Sequence, residues 1–260
     1  MTFKDSEAYT AKIIRAPALL HDTRVFLSHW DEGLSVDENI QKAISDNIFA
    51  RPARFYVKQF LTAFRERYIF SDERDAALRK LVRKGKDDAV IDRVLYYHTA
   101  HADNLLYDFV VNYIFAAQSR GIEYISTKNA QEYIKNLSDE GKTTSKWGDT
   151  VCNRVARNTL TSLRDFHILE GNVKKRIAPV YLPIEAFLYI AFSIGMKIEA
   201  GDKVVNHQDW KLFLIDAATV ERLFLEAHQN GFLSYQTAGN LVRIQHRFKS
   251  IGEVVDAIVS

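Results

Sequence analysis

Only eleven glycines and four prolines are spread over 260 residues, about half the share of an average soluble protein. A chain with so few tight-turn residues cannot supply the many reversals of a β-sandwich or barrel. Most of it must therefore be helix. Three Trp, 12 Tyr and 16 Phe within a 47% hydrophobic composition exclude a disordered chain. At this length a core forms without disulfide or metal staples.

Cys152 is the single cysteine, so neither an internal disulfide nor a cysteine-rich zinc site is available. The first 17 residues contain no apolar run of the kind a signal peptide carries. The most membrane-like stretch, Leu105 to Ala117, is interrupted by Asp108 and Asn112 and falls short of the ~20 residues a spanning helix needs. It reads as a buried core helix, and a cytoplasmic location with no membrane contact is expected.

Along the chain, a polar N-terminal tail leads to Ser35 and Glu38, spaced as a capping box ahead of Ile40, Ala43 and Ile44. Helices are then expected from about Pro52 to Phe70, from a Ser71 cap to Gly85, over Asp87 to His98 and over Ala102 to Arg120. This makes residues 1–125 a helical bundle of about five helices. In residues 126–182 a helix begins at Ser126-Thr127, a polar loop spans Ser138 to Lys146, and a longer helix runs from Gly148-Asp149 to about Phe166. Two β-prone runs, His167 to Leu169 and Ile177 to Leu182, flank Glu170-Gly171-Asn172, a hairpin signal. Helix, turn, helix and hairpin is the order of a winged helix-turn-helix. Residues 183–260 repeat the theme loosely as a helical lobe: a helix from Pro183, a polar excursion from Gly195 to Asp209, a helix over Ala217 to Asn230, a second hairpin around Ala238-Gly239-Asn240, and a last short helix. The fold class is mainly α.

The net charge of +2 conceals a concentration. Between Lys142 and Arg176 eight cationic residues face three acidic ones, so this window carries +5 and the remainder −3. On the long helix Cys152, Val155, Ala156, Leu160 and Leu163 share one face. Arg154, Arg157, Thr161 and Arg164 form a stripe opposite, flanked by Asn153 and Asn158. Lys146 precedes the helix, and Lys174, Lys175 and Arg176 follow the hairpin turn. Arg and Lys neutralise phosphates, and Arg and Asn also contact base edges. A basic hairpin beside such a helix follows the adjacent backbone or minor groove. A second basic cluster, Arg51, Arg54, Lys58, Arg65 and Arg67 against Glu66, marks another candidate helix-turn-helix, with Arg51, Arg54 and Lys58 as accessory phosphate contacts.

Other constellations carry less. His98 and His101 beside Asp103 lack the remaining elements of a metallohydrolase motif and read as helix-end histidines with a capping Asp. Cys152 lies on the apolar helix face and reads as a small buried hydrophobe. No nucleotide-binding glycine motif or nucleophile elbow occurs, so no catalytic residue, metal or cofactor is expected.

Three blocks, VFLSHWDEGLSVDENI with NIFARPARFYVKQFLTAFRERY, WGDTVCNRVARNTLTSLRDFHILEGNVKKRIAPVYLP, and VERLFLEAHQNGFLSYQTAGNLVRIQH, resemble the BrxA family, a small component of bacterial BREX (bacteriophage exclusion) phage-defence systems. Their order and spacing supply the specificity. The excursion from Gly195 to Asp209 is longer than the family pattern requires. The resemblance implies an N-terminal bundle similar to an RNA-antitermination factor, helix-turn-helix elements that bind double-stranded DNA, and no catalytic residues. The expectation is a non-enzymatic DNA-binding subunit that also meets other BREX subunits. A scaffold docking those subunits, or an RNA-binding protein, remains open at this point.

Overall fold

A computed structural model of the chain describes residues 8–50, 54–70, 72–85, 87–239 and 241–260, with Arg54 described for its backbone alone. The fold is mainly helical with two small antiparallel sheets. In the N-terminal half, α1 (Leu20–Ser28), α2 (Val36–Ser45) and α3 (Arg54–Tyr68) meet around packed rings. Phe26 lies 4.7 Å from Phe64 and 5.5 Å from Trp30, and Phe49 lies 4.9 Å from Phe60, between ring centroids. The capping box at α2 forms as its spacing requires, because Ser35 N donates to Glu38 Oε2 at 2.7 Å and Glu38 N to Ser35 Oγ at 3.3 Å.

Next come α4 (Glu73–Lys84) and α5 (Asp88–Ala102), capped by Asp72 and Asp87. The expected Ser71 cap and Pro52 start lie outside the described residues. The helix expected over Ala102 to Arg120 is broken into α6 (Asn104–Asp108), a wider π-helical segment Phe109–Ile114, and α7 (Phe115–Ser119). Among the described residues no helix is long and apolar enough to cross a membrane.

The middle of the chain begins with β1 (Tyr124–Ile125), followed by α8 (Thr127–Asp139), α9 (Asp149–Asp165), β2 (Leu169–Glu170) and β3 (Lys175–Ile177). The antiparallel strands lie in the order β1-β3-β2, with Tyr124 and Glu170 both opposite Arg176. The second hairpin strand thus begins at Lys175, two residues earlier than the apolar run suggests, and a third strand joins that the sequence pattern does not show.

In the last third, α10 (Ile184–Gly195) starts directly after Pro183. The polar excursion folds into α11 (Gly201–Val205), leading to the 3₁₀ helix Gln208–Phe213. α12 (Ala217–Gln229), the β4 (Leu233–Ala238) and β5 (Leu241–His246) hairpin, and α13 (Ile251–Val259) complete the chain. α13 packs back on α4, and α10 on α5, so buried residues from all three parts form one apolar cluster.

The stretch that reads as a polar N-terminal tail is a strap. Tyr9 N donates to Lys142 O at 2.8 Å and Thr144 N to Tyr9 O at 3.0 Å. A 3₁₀ turn, Lys12–Ile14, then packs on α9 through buried Ile13. Arg67, expected on a surface patch, is buried instead. Its guanidinium donates to the carbonyls of Pro17 at 2.8 Å, of Ala18 at 3.3 Å and of Ala16.

A polar hub joins α5 to the last third. Asp209 accepts from Tyr97 at 3.0 Å and Tyr107 at 2.7 Å, and lies 2.9 Å from His101 Nε2. Burial alone would raise its pKa, but the His101 hydrogen bond and charge, with His207 and Tyr107, bring it down to about 2. His98 bonds Tyr189 Oη at 2.8 Å, and Asp103 caps α6. Among the described residues no cluster of histidines, cysteines and carboxylates is arranged to hold a metal.

Two tests follow from this packing. Gly201 sits where an added Cβ would overlap the Val242 carbonyl of β5. Gly201→Ala is expected to lower stability by about 1–3 kcal/mol in urea titration, whereas Gly252→Ala in α13, which meets only ordinary contacts, raises it by up to about 1 kcal/mol. His98 is brought down to about 3 by burial, then by His101, Arg74 and Lys197, with Asp72 opposing. The unfolded chain therefore binds a proton that the folded one refuses. Stability should fall by about 1.4 kcal/mol per pH unit as pH drops below about 6.5, and His98→Gln should remove that component of the slope.

Candidate nucleic-acid interface

The strongest charge asymmetry of the sequence falls on α9, and its geometry follows from what lies beneath it. Cys152, Val155, Ala156, Thr159, Leu160, Ser162 and Leu163 are all buried, against α8 and the strap. The loop between α8 and α9 is closed by its own polar groups. Ser138 Oγ accepts from Trp147 N at 2.8 Å, and Thr143 Oγ1 donates to Ser145 O at 2.7 Å. Trp147 and Thr143 are buried there. The far end of α9 is held by Arg93 of α5, which donates to Phe166 O at 2.7 Å and to Tyr181 O at 3.1 Å. Cys152, fully buried, has its thiol pKa pushed up by burial.

With that face covered, Arg154 and Arg157 are exposed, and neither carries an ion pair among the described residues. Asn158 donates to Arg154 O at 2.8 Å, a bond within the helix. Asn153 is less free than the sequence suggests, because its amide donates to Gln131 Oε1 of α8 at 2.9 Å. Arg164 joins helix to hairpin, donating to Asp165 Oδ1 at 2.7 Å and to Asn172 Oδ1 at 3.2 Å. Lys146 is 83% exposed in its side chain and stands 3.6 Å from Asp139.

The three hairpin cations part company. Lys174 is exposed at the turn. Arg176, on the central strand, pairs with Glu170 on the strand beside it. Lys175 points the other way, as alternation along a strand requires. It is 7% exposed, and its ammonium donates to Gly171 O at 2.8 Å and Asn172 O at 3.0 Å. Burial, then the charge of Arg164, lowers its pKa. It braces the turn from inside. Gly171 adopts φ +88°, and a Cβ there would overlap the Lys174 carbonyl, so the turn requires glycine. The tip carries Val173, 94% exposed.

Of the second basic cluster, three cations lie among the described residues, in three different settings. Arg51 and the Arg54 side chain lie outside the described residues. Lys58 is exposed, Arg65 pairs with Asp37, and Arg67 is buried in the strap. Sequence reasoning also passes over Arg15, exposed at the end of the 3₁₀ turn, and Tyr124, 54% exposed opposite Arg176. A two-residue strand gives no alternation from which Tyr124 could have been found.

Comparison with known proteins adds a family and a fold. The BrxA family model matches residues 7–194, ending where the Gly195 excursion begins. No curated protein matches the chain. Among solved structures the chain is similar to an uncharacterized protein from Magnetospirillum magneticum, at 14% identity and a TM-score of 0.61, over 80% of this chain and 100% of that one. At that identity the likeness concerns the fold alone.

The two adjacent lysines should behave differently. Lys175→Met removes charged hydrogen bonds from a buried turn and is expected to cost about 1–3 kcal/mol in urea titration, while Lys174→Met shifts stability by less than about 0.5 kcal/mol. Equal effects would contradict the inward placement of Lys175.

Proposed function

Because the chain belongs to the BrxA family, a component of bacterial BREX (bacteriophage exclusion) phage-defence systems, we propose that it is the subunit through which such a system holds double-stranded DNA. The observation that carries this reading is α9: one face wholly buried and, opposite, Arg154 and Arg157 exposed without an ion pair among the described residues. In this reading residues 124–177 act as a winged helix-turn-helix. α9 enters the major groove, where Arg reaches phosphate oxygens or guanine edges. Arg164 and Asn172 keep the hairpin beside it, and Lys174 with Arg176 follows the neighbouring backbone as the wing. Lys146 adds a phosphate contact outside the groove. Asn153 is tied to α8 and Lys175 to the turn, so both position the surface rather than touch DNA. The chain performs no reaction of its own in this role, and its contacts are mostly electrostatic, giving weak sequence preference.

A second reading, docking of other BREX subunits, is favoured by exposed Met196, Leu225 and Leu241 in the last third. Co-purification after charge reversal on α9 separates the two, since a scaffold keeps its partners.

Duplex affinity should be measured by gel shift at several salt concentrations. Arg154→Glu with Arg157→Glu is expected to weaken binding at least tenfold, as an order-of-magnitude figure, and to reduce the slope of log affinity against log salt by about 2. Unchanged affinity and slope would remove α9 from the interface.

A further inference from the structure

Away from α9, a cavity of about 370 Å³ opens between α3 and the strap. One wall is Lys12 and Arg15. The other is Phe55, Lys58, Gln59 and Glu66 of α3, in which positions 55, 58 and 59 share one helix face. Phe55 is 73% exposed, a large ring held on a helix with water over it. Glu66 is 3.3 Å from Lys12, so these two charges largely cancel. Arg15 and Lys58 are exposed and make no ion pair among the described residues. The cavity therefore offers an aromatic face, two uncommitted cations and an amide.

Each component narrows the ligand. Duplex DNA has no use for the ring, because its base faces are stacked inside the helix. An acidic peptide would use the cations and leave the ring wet. An aliphatic peptide would use the ring and leave the cations without partners. An unpaired nucleotide uses all of them, its base stacking on the ring and its phosphates meeting the cations. We infer that this cavity binds an unpaired stretch of DNA, one base on Phe55 and the flanking phosphates on Arg15 and Lys58. That the strand is DNA rests on the duplex reading above. The Lys12–Ile14 turn that forms one wall also packs on α9, on the buried side away from Arg154 and Arg157, so the cavity is a site separate from the proposed duplex face. The site thus goes beyond duplex contact by holding a strand that has left the duplex.

Fluorescence anisotropy of the full chain with a labelled oligothymidylate of about 12 nucleotides tests this. Phe55→Ala should weaken binding about tenfold, and Phe55→Trp should restore it. An abasic strand of the same length keeps the phosphates and lacks the bases, and it should bind wild type and Phe55→Ala alike. Duplex affinity should be the same in all three proteins. Phe55 is exposed, and a matching urea midpoint checks that its replacement leaves the fold intact. Oligothymidylate binding unaffected by Phe55→Ala, an equal loss on the abasic strand, or binding of oligouridylate in place of oligothymidylate would each overturn the inference. The Arg154→Glu, Arg157→Glu protein separates the two readings. It should lose duplex and keep the oligothymidylate, so a silent Phe55→Ala beside a defective double variant removes this site and leaves the duplex reading standing.

Discussion

The burial of one face of α9 is the constraint on which the surface chemistry depends. Seven side chains from Cys152 to Leu163 are committed to the interior, which fixes the rotation of the helix about its axis. At about 100° per residue, Arg154 and Arg157 fall on the side of the helix opposite these buried positions and have only solvent to enter. Arg154 and Arg157 are therefore held outward by apolar packing rather than by polar partners. Such an arrangement keeps cationic groups uncompensated, and uncompensated cations are what a phosphate backbone recruits. The neighbouring cations show the alternative outcome: Arg176 answers Glu170, Lys142 answers Glu140 and Lys135 answers Asp149.

Around that helix the fold invests its buried polar groups in position. Arg93 holds one end of α9 through two carbonyls, and Ser138 with Thr143 closes the loop at the other. The strap runs from the α8–α9 loop to α3, where Arg67 binds three successive carbonyls. A buried guanidinium with carbonyl partners is stable only while the whole set stays together, because any carbonyl lost leaves charge desolvated. The Asp209 hub does similar service between α5 and the 3₁₀ helix, setting two tyrosine hydroxyls and a histidine against one carboxylate.

Much of this was legible in the sequence, and what was not has physical causes. Ser35 with Glu38, and the opposed faces of α9, are local patterns in which a period or a cap spacing determines the outcome. The helix-to-hairpin order and the scarcity of turn residues conveyed the mainly helical class. Lys175 reads as a wing contact because three consecutive cations look alike in a sequence. Only the strand register shows that the middle one faces inward. Arg67 looked like a surface charge because its partners are backbone carbonyls about 50 residues away, invisible to any side-chain pattern. The strap leaves no sequence signal for the same reason: a single pair of backbone bonds at Tyr9 and one buried Ile13 have no periodicity. The Gly195 excursion hid α11, which is five residues long and depends on Gly201 lying against β5 rather than on its own propensity.

In the proposed reading the outward face of α9 meets duplex DNA. A photo-crosslinking side chain placed at Thr150, exposed one turn before Arg154, measures that contact directly. Efficient cross-linking to duplex DNA is expected from this position, and little from Lys128 on α8. Cross-links from Lys128 and none from Thr150 would contradict that reading.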